Sequence, residues 1–398
     1  MKILWLSHIF PYPPKGGVLQ RTYNLIKHVS KFHDIHLLSV DHNVEYPIDV
    51  KKGIFELNKF CYKVTVINVS INKKIIAFKS LFSLKPYTCQ WLYFDRMKNL
   101  IINLTGLDKF DCIHFDSIDM AEYIREIKST PKVLNHHNIE SQMMFRRSLK
   151  EKNLYRKLYF FIESLKLRYY ENKICSMFNY NITVSELDKR RLLKICPEIN
   201  IEVIPNGVDV DYFKPSQKGF DPQTLVFAGG MNWYPNRDAV IFFCREIWPI
   251  LKKNWPNVKV IIIGHDPPRS ILSIAKKDSN FIVTGFVDDV RPYLEKAHVY
   301  ICPIRDGGGT KLKILDAMSM AKPIVAHPVS IEGIEAEPEK HLLLARTPHE
   351  FVYQIDRLFN DIKLCNYLSK NCRELVLKKY DFSKIGQKLA YLYNKVGN

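Results

Sequence analysis

The sequence predicts an α/β protein built from two doubly wound parallel sheets, and three observations carry that reading. Short apolar runs recur along the whole chain and alternate with helical patterns. Strands that are apolar from end to end belong to parallel sheets covered on both faces, because a half-exposed strand would alternate apolar and polar residues. At 398 residues the chain exceeds what one ordinary core organises, so two domains are expected. The stretch "IPNGVDVDYFKPSQKGFDPQ" (204–223) is rich in Pro, Gly and polar residues, and it divides the strands into two series.

The first series runs through "KILWLS" (2–7), "DIHLLSV" (34–40), "KVTVINV" (63–69), "CIHF" (112–115), "KVLNHH" (132–137) and "YNITVS" (180–185), and reaches the linker at "IEVIPN" (201–206). The second comprises "TLVFAGG" (224–230), "VKVIIIG" (258–264), "FIVTGF" (281–286), "VYICPI" (299–304) and "KPIVAH" (322–327). The expected domains are 1–205 and 206–379, with a C-terminal helix at about 380–398 returning to the first domain. Ligands of such sheets lie at the carboxyl ends of the strands, so a crevice between two facing domains is the expected site. No internal repeat or low-complexity tract interrupts the pattern.

With 46% hydrophobic and 12% aromatic residues, the chain has enough apolar surface for two cores and is not a disordered protein. Its net charge of +18 is unevenly spread: residues 1–200 hold 32 Lys and Arg against 19 Asp and Glu. A basic first half suits an anionic partner, whether phospholipid, nucleic acid or phosphorylated substrate. The nine cysteines include no CxxC pair, which points to a reducing compartment without disulfide framework or zinc site. The opening "MKILWLSHIFPYPPKGG" reads as a first strand rather than a signal peptide, since proline and glycine follow a short apolar run. No stretch approaches the roughly 18 apolar residues that span a bilayer. The expected location is cytoplasmic, with any membrane contact peripheral.

The most informative motif is "DGGGTKLKILDAMSMAKP" (306–323), the loop and helix between strands 299–304 and 322–327. It is neither a Walker A loop, where lysine precedes Ser or Thr, nor a G-x-G-x-x-G fingerprint. It is a general anion site: small residues admit the ligand to backbone N–H groups, the helix N-terminus is partially positive, and Lys311 adds a full charge. Asp316, further along the helix, could accept hydrogen bonds from the vicinal hydroxyls of a ribose. The same spacing also fits a plain turn with Asp316 paired to Lys313 at i, i+3.

The longer run "PIRDGGGTKLKILDAMSMAKPIVAHPVSIEGI" resembles the donor-site segment of GT-B glycosyltransferases of family 4, in the branch reading G-x-G-T-[RK]-L-K-[IL]-L-E-A-M. Similar features follow in order along nearly the whole chain: "PPKGGVLQRTYNLIKHV" (13–29), "NHHNIES" (135–141), "VIPNGVDVDYF" (203–213), "VFAGGMNWYPNRDAV" (226–240) and "GFVDDVRPYLEKAHVYICPI" (285–304). The resemblance implies a nucleoside diphosphate sugar, UDP- or GDP-linked, held by the second domain without cofactor or metal, and transfer with retention at the anomeric carbon. It places Asp316 where the family has a ribose-binding glutamate. The family's other glutamate falls on Gly308, so a carboxylate that elsewhere contacts the sugar is missing. Gly230 and Asn236 stand where many relatives carry an Arg and a Lys for the diphosphate, which leaves Arg237 and Lys311, helped by the amides of Gly308, Gly309 and Thr310. Gly285, Phe286 and Val287 are expected to supply backbone contacts to the base.

In the first domain the resemblance implies that Gly16 and Gly17 let the backbone approach donor phosphates and acceptor. A flexible turn is the plainer reading of that pair. It also places a histidine near the donor sugar. His136 and His137 point to opposite faces of a strand, and His137 is preferred as the catalytic one, together with Lys311 and Asp316. Glu140 could be the first carboxylate of the next helix, with Asn138 as its cap. The "DVD" at 209–211 mimics a metal-binding D-x-D but lies in the interdomain crossing, so no metal is assigned.

Two basic segments, 71–101 and 146–174, interleave Lys and Arg with aromatics at helical spacing. They suit either an interfacial surface on an anionic leaflet near a lipid-linked acceptor or ordinary amphipathic helices. No nucleic-acid motif accompanies the charge. The expected activity is a glycosyltransferase acting on a saccharide or lipid-linked acceptor in cell-surface polysaccharide or glycan synthesis. A nucleotide-sugar epimerase of the same architecture and a non-catalytic nucleotide-sugar-binding protein are the alternatives.

Overall fold

The structure, a computed structural model, describes residues 1–42, 49–216 and 219–397. Residues 217 and 218 of the expected linker and residue 398 of the expected C-terminal helix lie outside the described residues, as do the side chains at 73 and 74. The chain divides into two compact units, 1–206 with 382–398, and 207–381.

The first unit is a seven-stranded parallel sheet. Its strands are β1 (Lys2–Ser7), β2 (Asp34–Asp41), β3 (Lys63–Asn68), β4 (Cys112–Phe115), β5 (Lys132–His136), β6 (Tyr180–Thr183) and β7 (Ile201–Val203), in the order β3-β2-β1-β4-β5-β6-β7. Ile3 pairs with Ile35 on one side and Cys112 on the other. The order reverses between β1 and β4, and a crevice opens at the carboxyl ends of strands at such a reversal. Separate apolar clusters fill the two faces: Leu4, Leu6, Leu38 and Ile113 on one, Ile3, Trp5, Ile35 and Leu37 on the other. The final helix, Phe382–Gly397, belongs to the second of these faces. It packs on the helix Gly17–Val29 at Gly386, where an added Cβ would lie 2.4 Å from that of His28. The Tyr393 hydroxyl reaches His114 Nδ1 at 2.9 Å.

The second unit is a six-stranded parallel sheet of β8 (Thr224–Ala228), β9 (Lys259–Ile263), β10 (Phe281–Gly285), β11 (Val299–Cys302), β12 (Ile324–Ala326) and β13 (Leu343–Leu344), ordered β10-β9-β8-β11-β12-β13. All twelve expected strands are present. The thirteenth, two residues paired with Val325 and Ala326, is too short to carry a periodicity. Here the order reverses between β8 and β11. The helix Leu312–Ser319 follows β11 and buries Leu312, Ile314, Leu315 and Met318, which fixes the loop 303–311 above the sheet. Arg373 holds the first residues of this unit through the carbonyls of Val210 and Phe213. The Asp209 carboxylate closes a turn by accepting from the amides of Asp211 and Tyr212. That is the local bonding expected of aspartate in a turn.

Candidate active site

In the second unit, loops at the carboxyl ends of β8, β9, β10 and β11 gather close to one another, and glycine makes the approach possible. Gly264 has φ of +152°, and a Cβ there would lie 2.1 Å from the Gly229 carbonyl oxygen. The Gly229 amide donates to Ile263 O at 2.8 Å, and the Gly264 amide to Gly285 O at 2.9 Å. A Cβ on Gly230 would strike His265 Nε2 at 2.4 Å. Gly307 (φ +105°) and Gly309 (φ +62°) adopt backbone that side chains rarely tolerate, and Gly307 abuts Trp233 and Pro235 at the start of the helix Tyr234–Phe242. Gly308, Gly309 and Thr310 thus lead directly into the first turn of the helix Leu312–Ser319, the partially positive end.

The two lysines of "TKLK" lie differently. Lys311 is buried at the N-cap, and its Nζ donates to the carbonyls of Gly308 and Gly309 at 2.8 and 2.9 Å. It therefore folds its own loop. Lys313, which the sequence offered only as a surface partner of Asp316, instead sends Nζ to Asn236 Oδ1 at 2.5 Å. Asn236 in turn donates to Gly230 O at 2.8 Å. Burial pulls the Lys313 ammonium down to about 8 and Lys311 pushes it the same way, while Cys302 and Asp316 act to raise it. Asp316 is half-buried in the middle of this helix. Arg237 is exposed, one residue beyond the buried Asn236. Phe286 is exposed and Val287 half-buried just after Gly285, whose φ of +71° turns the chain at the end of β10.

In the first unit the strand order β1-β4-β5 brings three side chains together that are far apart in sequence. Asp116 follows β4, His8 follows β1 and His137 follows β5; their polar atoms all lie within 4.8 Å of one another. Asp116 is fully buried. Its Oδ2 accepts from Thr22 Oγ1 at 2.6 Å, and its Oδ1 accepts from Asn135 Nδ2 at 3.2 Å and faces His137 Nε2 at 3.7 Å. Burial alone would push this carboxyl up; His114 and His137 beside it hold it well below the usual carboxylate range. Burial lowers His8 below its ordinary value, against the pull of Asp119. Arg21 is also buried and donates to Ile204 O, Pro205 O, Asn135 Oδ1 and Asn206 Oδ1. This is a buried carboxylate with imidazoles beside it, His137 standing at ion-pair distance from Asp116.

His136 faces the other way and bonds Asn181 Oδ1 at 3.0 Å within the core. Gly16 caps the helix Gly17–Val29 with φ of +98° and nothing within 4 Å of a would-be Cβ; Gly16 and Gly17 are both exposed. The helix after His137 starts at Glu140 with Ile139 at its N-cap, so Asn138 is not the cap; its side chain contacts Glu140 Oε1 at 3.4 Å. The sequence pointed to neither Asp116, His8 nor Lys313, because their roles arise from strand order and side-chain direction.

Comparison with known proteins adds the following. The profile of the glycosyl transferases group 1 matches residues 222–361, and that of glycosyltransferase family 4 matches residues 15–212. An uncharacterized 44.6 kDa protein in the cps region of Klebsiella pneumoniae is 24% identical, covering 96% of this chain and 97% of that one. The Escherichia coli UDP-Gal:alpha-D-GlcNAc-diphosphoundecaprenol alpha-1,3-galactosyltransferase is 23% identical over 49% of this chain and 54% of its own. Among solved structures, sucrose-phosphate synthase from Thermosynechococcus elongatus superposes with a TM-score of 0.71 at 14% identity, covering 99% of both chains. Anabaena HepE in complex with UDP gives 0.68 at 16% identity, covering 99% of this chain and 100% of that one. These likenesses show a GT-B fold.

Proposed function

The chain belongs to the group 1 glycosyltransferases of family 4, and from that premise we propose that it is a retaining enzyme of cell-surface polysaccharide or glycan synthesis. It moves a sugar from a UDP- or GDP-linked donor to a saccharide or lipid-linked acceptor. The observation that carries this reading is the set of glycine-bearing loops at the ends of β8 to β11, converging on a helix N-terminus that bears Lys311. Such a place suits a diphosphate and needs no divalent ion to neutralise it. The amides of Gly308, Gly309 and Thr310 and the helix dipole stabilise the departing diphosphate, in a loop that Lys311 ties together, while the acceptor hydroxyl attacks on the same face. Asp316 takes the ribose hydroxyls, and residues 285–287 flank the base. His137, steered by Asp116, hydrogen-bonds the sugar or orients the acceptor.

Among the described residues no helix is long and apolar enough to cross a membrane. We place the enzyme in the cytoplasm, peripheral on the inner face of the membrane, where a lipid-linked acceptor would be met. The Escherichia coli relative, named for a diphosphoundecaprenol-linked acceptor, supports that class of acceptor.

The test is a thermal-shift screen against nucleoside diphosphates and their sugars, followed by transfer assays with the donors that bind. A ligand present at about 100 times its Kd should stabilise the fold by about 2.7 kcal/mol, a clear rise in melting temperature. No shift with any UDP or GDP compound would overturn the nucleotide-sugar assignment. Interconversion of the donor without acceptor would replace transfer by epimerisation. Binding with neither transfer nor donor hydrolysis would replace it by a binding role.

A further inference from the structure

We infer that Lys313, held by Asn236, is the ammonium that contacts the donor diphosphate, and that Lys311 serves mainly to fold the glycine loop. This rests on the nucleotide-sugar reading above. Lys311 Nζ already has two carbonyl partners of its own loop, so a ligand phosphate would have to compete with them. Lys313 Nζ has one side-chain partner, a neutral amide oxygen. Among the described residues no carboxylate lies within ion-pair distance of it. Lys313 is half-buried, and a cation drawn partly out of water is costly without an opposite charge, which a ligand's own negative charge would supply.

The position of Nζ is as informative as its partners. It lies 4.8 Å over the Phe227 ring of β8, and a Cβ on Gly229 would come within 2.2 Å of it. Lys313 therefore reaches from its helix across to the carboxyl end of β8, where Gly229 and Gly230 present backbone without side chains. Asn236 fixes the far end of the lysine by accepting from Nζ while its own amide nitrogen donates to Gly230 O. The charge is thus carried on one element and aimed by another, which is the preorganisation that stabilises a leaving diphosphate. Lysine is a point charge on a flexible stem and binds phosphate without fixed geometry.

Two variants separate this role from that of a structural strut. Lys313→Gln removes the charge. Asn236→Asp keeps the shape but gives Lys313 a carboxylate partner, cancelling the charge and, if anything, raising the melting temperature. Calorimetric binding is measured for UDP, GDP, uridine and guanosine. Both variants should lose at least tenfold in affinity for the diphosphate that the parent binds, with nucleoside binding unchanged. Adding Asn236→Lys to Lys313→Gln returns a charge to the same place and should recover most of the loss. Parent-like diphosphate affinity in Asn236→Asp would overturn the assignment of Lys313 alone. Failure of the parent to bind either diphosphate would overturn the nucleotide-sugar reading and this inference with it.

Discussion

Asp116 has a buried carboxylate with Thr22 and Asn135 as donors and three histidines around it: His8, His114 and His137. Its value to catalysis is orientation, because an imidazole aimed by a carboxylate spends little time in unproductive rotamers. Asp116→Asn preserves size and most hydrogen bonds but removes the charge. The expected result is a fall in turnover of about a hundredfold to ten-thousandfold, the range that oriented acid–base groups contribute. Donor affinity should stay near that of the parent, since the proposed diphosphate contacts lie in the other unit. A variant that loses donor binding and keeps turnover would remove Asp116 from this role. His137→Ala in the same background should add little, because residues acting as one unit are not additive.

At the scale of elements, the helix Lys73–Leu81 and the paired helices Glu140–Lys150 and Leu154–Cys175 form a surface unlike the rest of the first unit. Lys166 joins them by donating to Ser80 O at 2.8 Å. Phe82, Leu84 and Tyr155 are 80%, 93% and 87% exposed, and Arg146, Arg147, Lys150, Lys152, Arg156 and Lys157 are interleaved. Apolar tips among cations are the pattern of an interfacial surface on anionic lipid. Phe82→Asp with Tyr155→Asp should cut sedimentation with phosphatidylglycerol vesicles at least tenfold, since each apolar side chain contributes about 2 kcal/mol when buried. If the parent does not sediment with those vesicles at low salt, these helices have only solvated faces. Elements such as these were the most legible part of the sequence. Apolar strands and amphipathic helices follow from periodicity, and the helix after "GGGTK" follows from its spacing. The two-residue strand Leu343–Leu344 did not, because it exists only through its pairing with β12. The candidate site was half legible for the same reason. Glycines reveal themselves in sequence, whereas His8, Asp116 and His137 meet only once β1, β4 and β5 are neighbours, and Lys313 matters only because its side chain turns toward Asn236.

At the scale of the whole molecule, the buried titratable groups fix how stability should vary with pH. His36, His136 and His298 are lowered to about 4, chiefly by burial. The folded state keeps them neutral, so their contribution is full above about 6.5 and is lost as pH falls toward 4. Glu140 is raised to about 8 and Glu171 to about 7, again chiefly by burial, with Asp119 adding to the effect at Glu140. Here the folded state holds the extra proton, so stability is full below about 4.5 and is lost as pH rises through 7 and 8. Between 4.5 and 6.5 these histidines, with His8, His114 and His341 also lowered by burial, oppose two glutamates and stability still rises with pH. Above 6.5 the glutamates make it fall, until near pH 8 Lys313 and Lys322, lowered to about 8, turn the slope the other way. The melting temperature should therefore peak near pH 6.5. Glu140→Gln should flatten the decline between pH 6.5 and 8 and steepen the rise between 4.5 and 6.5. A melting temperature that climbs steadily from pH 6.5 to 8 would mean that Glu140 is ionised in the native protein. The start of the helix beside His137 would then carry a negative charge, and any acceptor held there would meet an anion rather than a hydrogen-bond donor.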